Sequence, residues 1–141
     1  MTQPAARIVS LGAPALRGPV ACVDLETTGG MAVHHRIIEV GIVLLEDGEI
    51  VEEWSSLVNP GVRIPSSIED FTGISNEMVA DAPAFADVRA EVRRRLDGRL
   101  FVAHNAGFDY GFVRNEFRRL GEKFSAPVLC TVRLSRALFR E

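Results

Sequence analysis

The stretch ACVDLETTGG, residues 21–30, decides how the chain is read. Val23 and Leu25 alternate with Asp24 and Glu26, so in a strand the two carboxylates share one face and the apolar pair the other. Adjacent carboxylates repel each other and lose hydration, which is costly unless a cation or hydrogen-bond donors meet them. The local sequence supplies no Lys or Arg. Oxygen-only ligands, with no Cys or His at metal-ligand spacing, point to Mg²⁺ or Mn²⁺ rather than zinc.

The rest of the chain bounds what such a strand can belong to. Its 141 residues suffice for one domain with a proper core. No apolar stretch nears the roughly 20 residues that span a bilayer. The N-terminal residues lack a long apolar h-region, so 1–18 reads as a short lead-in and no membrane is expected. Cys22 and Cys130 stand in strand-like apolar runs and read as two buried thiols rather than a disulfide. A soluble, cytoplasmic protein is the expectation. The net charge of −3 argues against coating nucleic acid through bulk electrostatics, yet its distribution is lopsided. Residues 1–88 carry a net −9 and residues 89–141 a net +6. That basic half reads either as solvated helix faces or as a rim for a phosphodiester substrate, with Arg114, Arg118 and Arg133 as candidates.

The layout follows from periodicity and turn chemistry. PVACVDLE is a first strand, ended by TTGG. Two further strands meet at Asp47-Gly48, a strong hairpin signal. Residues 59–75 read as a loop with one short helical turn. A helix opens at Asp81 or Pro83 and runs to Leu96; RLFVAHN is a strand; Asn105 caps a helix through Leu120, stopped by Gly121. APVLCTVRL is a last strand, and the chain ends inside a new helix. An antiparallel set followed by strand–helix alternation indicates one α/β domain over 19–141, a mixed sheet flanked by helices, with an incomplete C-terminal helix. Asp109 falls in the first turn of the helix after Asn105, where the dipole alone favours an acid. His34 and His35 fall in a loop and read as solvated.

VDLETTGG, FTGIS and AHNAGFDYGFV, in that order and spacing, resemble the DEDDh 3′→5′ exonucleases, which include the proofreading subunit of the bacterial replicative DNA polymerase. The resemblance runs from Pro19 to the C-terminus. It implies a ribonuclease H-like fold and hydrolysis of the terminal phosphodiester of single-stranded DNA or RNA by a two-metal mechanism. It also implies that Asp24, Glu26 and Asp109 are catalytic and hold two divalent cations, Mg²⁺ or Mn²⁺. Leu25, Thr27, Phe71 and Thr72 match positions that grip the 3′-terminal nucleotide. Phe71 reads equally as a core residue under its loop. His104 reads as a structural or substrate-contacting residue, Asn105 as the helix cap near the substrate, and Phe108 as core more than ligand contact. A DNA polymerase subunit or a fused domain is an implied partner.

One part of the pattern is missing. The family carries H-x-x-x-x-D on a later helix, the His as general base and the Asp as fourth ligand, whereas no His follows His104 and no Asp follows Asp109. The expectation is a piece of a longer exonuclease, inactive or weak alone. The rival is a degenerate, non-catalytic domain that binds nucleic-acid ends or a polymerase.

Overall fold

The computed structural model describes residues 18–139, so the expected lead-in lies outside the described residues, Gly18 excepted. Five strands form one sheet in the order β3-β2-β1-β4-β5. They are β1 (Val20–Thr27), β2 (Ile37–Glu46), β3 (Glu49–Leu57), β4 (Leu100–Ala103) and β5 (Val128–Cys130). The first three pair antiparallel, and β4 and β5 add on parallel to β1. The five helices among the described residues are α1 (Ser66–Thr72), α2 (Asn76–Ala80), α3 (Phe85–Leu96), α4 (Ala106–Arg119) and α5 (Thr131–Leu138). This is the expected mixed sheet flanked by helices.

Alternation in β1 sorts the residues between two faces. Ala21, Val23 and Leu25 are buried in the main core with Ile42 and Leu44 of β2 and the inner faces of α3 and α4. Their neighbours Cys22, Asp24 and Glu26 point the other way, where Cys22, Val43 and Val102 line a shallow, largely apolar groove of about 510 Å³ that reaches Asp24. Asp47 and Gly48 both take positive φ, 52° and 80°, giving the tight hairpin whose twist matches its strands. A smaller core of Ile38, Ile64, Ile74 and Val79 sits beneath α1 and α2.

Several expected boundaries move. The single helical turn expected in 59–75 becomes all of α1 and, just beyond it, α2 opens at Asn76. α1 starts after Pro65 and ends on Gly73 at φ 76°, and the Ser75 hydroxyl caps α2 by accepting from Met78 N–H. α3 opens at Phe85 rather than Asp81 or Pro83, because Asp87 reaches back to accept the Ala84 N–H at 3.0 Å. The last strand is only three residues long, since Thr131 already begins α5. Asn105 does precede α4, but its φ of 64° is left-handed and its side chain makes no capping bond. Both cysteines are free and half-buried rather than fully buried.

Phe117 of α4 ties the layers together. It is fully buried, edge-on to Phe85 of α3 at 5.3 Å and stacked on Phe124 at 5.4 Å, with the Arg93 guanidinium 4.5 Å above its ring. Truncation loses both transfer free energy and packing. Phe117→Ala is expected to cost about 3–5 kcal/mol in urea denaturation, and Phe117→Leu clearly less. A loss below ~1 kcal/mol for the alanine variant would refute Phe117's place as the keystone of the core.

Candidate active site

Asp24, Glu26 and Asp109 lie within Coulombic reach of one another at the end of β1. Asp24 is exposed and Glu26 half-buried on the face away from the main core. Asp109 reaches the same place from α4, near enough to the backbone N–H of Leu25, the residue between the other two, for that amide to favour its charged form. Only 5% of Asp109 is exposed. Burial foremost, then the charge of Asp24, pushes its pKa up to about 6. A helix-end charge would be solvated. Asp109 is not, so the helix dipole does not explain it. Glu26 is raised as well, by burial, by Asp24 and by Glu39, which the hairpin register sets directly across from it. Among the described residues none of Asp24, Glu26 and Asp109 has an ion-pair partner.

Like charges near one another repel, and as the side chains stand no three described His, Cys, Asp or Glu close around one ion position. The donor set nevertheless suits a hard dication: carboxylate oxygens, one of them desolvated and none neutralised.

Beside Glu26 lies a cleft of about 310 Å³. Leu25, Thr27, Gly29, Gly30, Phe71, Thr72 and Phe108 line it, together with Glu26 and Ile68. Phe71 is 85% exposed, which overturns its reading as a core residue. Phe108 packs against the main core as expected, tilted on Phe112 at 4.7 Å, and still contributes to the cleft wall. The Leu25 side chain points into the core, leaving its backbone at the site. The hydroxyls of Thr27 and Thr72 are committed to local structure: Thr27 donates to the Gly29 carbonyl at 2.7 Å, and Thr72 donates to Ile68 O at 2.7 Å and accepts from Ile74 N–H. His104 and Asn105 lie apart from this cleft, at the mouth of a larger one lined by Cys130, Arg133 and Arg136. There His104 Nδ1 is 3.0 Å from the Thr131 hydroxyl.

Two readings change with the structure. His34 is exposed as expected, whereas His35 is half-buried: its Nδ1 accepts the Met31 N–H at 3.0 Å, and its ring packs on Gly29, where an added Cβ would lie 2.5 Å away. The basic half divides, with Arg89, Arg93, Arg94, Arg95, Arg99 and Arg119 in ion pairs with acids. Arg114, Arg118, Arg133 and Arg136 form no ion pair among the described residues. Sequence reasoning missed Glu39 and the Arg36–Glu116 pair. An acid on the apolar stripe of α4 was the available signal for Glu116.

An acid with a raised native pKa binds more protons folded than unfolded between its ordinary value of 3.8 and about 6, so stability falls as pH rises through that window. In chelator, Asp109→Asn is therefore expected to stabilise the protein at pH 8 by up to about 3 kcal/mol and to give no such gain at pH 4. Urea denaturation at both pH values checks this; an equal effect at the two would sink the burial argument.

With the geometry in place, comparison with known proteins gives it a family. The model of the RNase T exonuclease family, described as "Exonuclease", matches residues 21–141. A 3'-5' exonuclease DinG of Bacillus subtilis is 46% identical over 121 residues, covering 83% of this chain and 13% of that protein. A DNA polymerase III PolC-type of Oceanobacillus iheyensis is 43% identical over 119 residues, covering 84% of this chain and 8% of its own. The chain thus spans only a small part of the length of these relatives. Among solved structures, exonuclease X in complex with 5' overhanging duplex DNA superposes with a TM-score of 0.70 at 30% identity, covering 86% of this chain and 64% of that one. Product-bound exonuclease I shares the fold, with a TM-score of 0.78 at 15% identity over 86% of this chain and 31% of that one. The chain belongs to the exonuclease family.

Proposed function

We propose that this chain is the exonuclease domain of a metal-dependent 3′→5′ exonuclease acting on single-stranded DNA or RNA. The observation that carries the reading is Asp109: a desolvated carboxylate within Coulombic reach of Asp24 and Glu26, with no basic partner among the described residues, while Glu26 borders an open cleft. Asp24, Glu26 and Asp109 would hold two divalent cations, Mg²⁺ or Mn²⁺. When bound, such ions lower the pKa of water and stabilise charge on the leaving oxygen.

The chain's own residues do the positioning. Phe71, projecting from α1, stacks on the terminal base, a contact that tolerates every base because each has a π-face. The Gly29–Gly30 wall and the Phe108 ring bound the terminal nucleotide from the other side, and Glu26 orients its reacting end. Thr27 and Thr72 shape the cleft through the backbone groups they hold, leaving its walls rigid. His104, on the neighbouring cleft with Arg133, meets the preceding phosphates. The general base and a fourth acidic ligand lie outside the described residues in this reading. The PolC-type and DinG relatives support a setting within, or beside, a larger DNA-processing protein.

Binding that is confined to the folded state raises the melting temperature by mass action. Millimolar Mn²⁺ is expected to raise Tm of the wild-type chain and to leave Asp24→Asn unmoved; an identical rise in the mutant would remove these acids from the metal site. Hydrolysis by the 141 residues alone should be slight, since general-base catalysis contributes ~10²–10⁴-fold. A longer chain supplying H-x-x-x-x-D should release mononucleotides from the 3′ end, and Asp109→Ala should abolish this. Release of no product by the longer chain, with oligonucleotide still bound, would favour the non-catalytic end-binding reading instead.

Charge contacts with phosphates make affinity fall with salt. Arg133→Gln is expected to weaken oligonucleotide binding and flatten the salt slope by about one unit. Arg94→Gln, already paired with Glu52, should do neither. Equal behaviour of the two variants in salt titrations would return the basic half to solvated helix faces.

A further inference from the structure

The loop over residues 28–36 is hung on α4 by a buried charge. Glu116 is 1% exposed and faces the same inward side of α4 as Asp109, two turns further along. Arg36 grips its carboxylate with two bonds, Nε to Oε1 at 2.6 Å and Nη2 to Oε2 at 2.9 Å. Arg119 Nη1 donates to Oε1 at 2.6 Å. The other terminal nitrogen of Arg119 donates to three loop carbonyls, those of Ala32, Val33 and His35, at 3.0 to 3.3 Å. The base of the loop is closed by Thr28 N–H to the Arg36 carbonyl at 2.8 Å and by Arg36 N–H to the Thr28 hydroxyl at 3.0 Å.

From Arg119 the contacts run on without a break. Its partner carbonyl belongs to His35, whose ring lies against Gly29 so closely that a Cβ there has no room. Gly29 and Gly30 are the wall of the cleft beside Glu26. A carboxylate buried beneath two partly exposed arginines is a poor device for stability alone, because well-packed apolar residues of similar volume often serve as well or better. It is a good device for fixing a loop at one distance from a helix, since bidentate arginine–carboxylate geometry is directional. The same helix carries Asp109 near its start, so one rigid element references both the acid and the opposing wall.

We propose that Glu116, acting through Arg36 and Arg119, is a positioning residue that sets the Gly29–Gly30 wall for the terminal nucleotide without taking part in cation binding. The inference rests on the exonuclease reading, in that the cleft's ligand is taken to be a nucleoside 5′-monophosphate, the product of 3′→5′ release. Losing the clamp lets the wall drift, so nucleotide affinity falls while the affinity of Asp24, Glu26 and Asp109 for a cation holds.

The test is calorimetric titration of the 141-residue chain, first with Mn²⁺ and then with dTMP in saturating Mn²⁺. Wild type is compared with Arg119→Gln and Glu116→Gln, each kept well below its own Tm, and with Arg94→Gln as a surface ion-pair control. Arg119→Gln keeps the Arg36–Glu116 pair and so serves if Glu116→Gln fails to fold. Both clamp variants are expected to bind dTMP about tenfold more weakly, with Mn²⁺ affinity unchanged within about twofold, and the control to match wild type. A purely structural role would lower Tm and move both ligands together or neither, and either result overturns the inference. Wild type that binds Mn²⁺ but no dTMP overturns the exonuclease reading along with it. Wild-type dTMP affinity retained in both clamp variants overturns the positioning role alone.

Discussion

The two-residue period of β1 is the constraint on which the rest depends. A slip of one residue in its pairing would send Asp24 and Glu26 into the main core and Ala21, Val23 and Leu25 into water. Apolar neighbours on both sides prevent it: Val23 stands opposite Ile42, and Ala21 is flanked by Leu44 and Phe101. The register is therefore held by the hydrophobic face, and the acids are displayed as a consequence. Gly41 across from Asp24 keeps that side of the sheet open, whereas Glu39 across from Glu26 concentrates negative charge there.

Charge is distributed by the same logic. Much of the basic half is spent inside the fold: Arg95, 5% exposed, lies between Glu52 and Glu91 with its guanidinium 4.6 Å from the Trp54 ring centroid, and Arg93 covers Phe117. These arginines tie α3 to β3 and to the segment after α4, and neither pairs with Asp24, Glu26 or Asp109. The acidic cluster thus keeps its uncompensated charge in a protein rich in arginine. Surface pairs such as Arg93–Asp97 add little to stability. Their effect on the site is indirect, because an arginine engaged with Glu52 or Glu122 is withheld from the acidic cluster.

Legibility in the sequence followed the range of the interaction involved. Strands β1, β2 and β3 were readable because alternation and the Asp47-Gly48 turn are local signals, and α4 because its apolar stripe spans three turns. The α1–α2 segment was not, since helices of seven and five residues are too short to show a period and rely on Pro65, Gly73 and the Ser75 cap. β5 was read too long because Val128 to Leu134 is apolar enough for either state, and only pairing with β4 fixes where the strand stops. Phe71 could not be placed from composition at all: its exposure depends on how α1 sits against the sheet. Asp109 read as a helix-end charge on its own, and gained its meaning from burial against a strand 84 residues earlier in sequence. The Arg36–Glu116 clamp joins residues 80 apart and leaves no local pattern beyond one acid on an apolar stripe.

A site assembled from such distant segments needs a common reference, and α4 supplies it. Its first turn carries Asp109, its middle packs Phe112, Val113 and Phe117 into the core, and its last turns hold the 28–36 loop through Glu116 and Arg119. A helix packed along one face transmits position with little compliance, because protein interiors are as dense as organic crystals. The acids and the cleft wall are then placed by one body rather than by two loops. On the α1 side, Ile68 and Thr72 are held by the smaller core and by hydrogen bonds, and Phe71 alone of its cleft residues stands free in solvent. In the proposed exonuclease reading, an exposed aromatic of this kind would adapt to whichever base arrives, while the α4 side would fix where the phosphodiester lies. That reading would assign tolerance of base identity and precision at the reacting bond to different walls of one cleft.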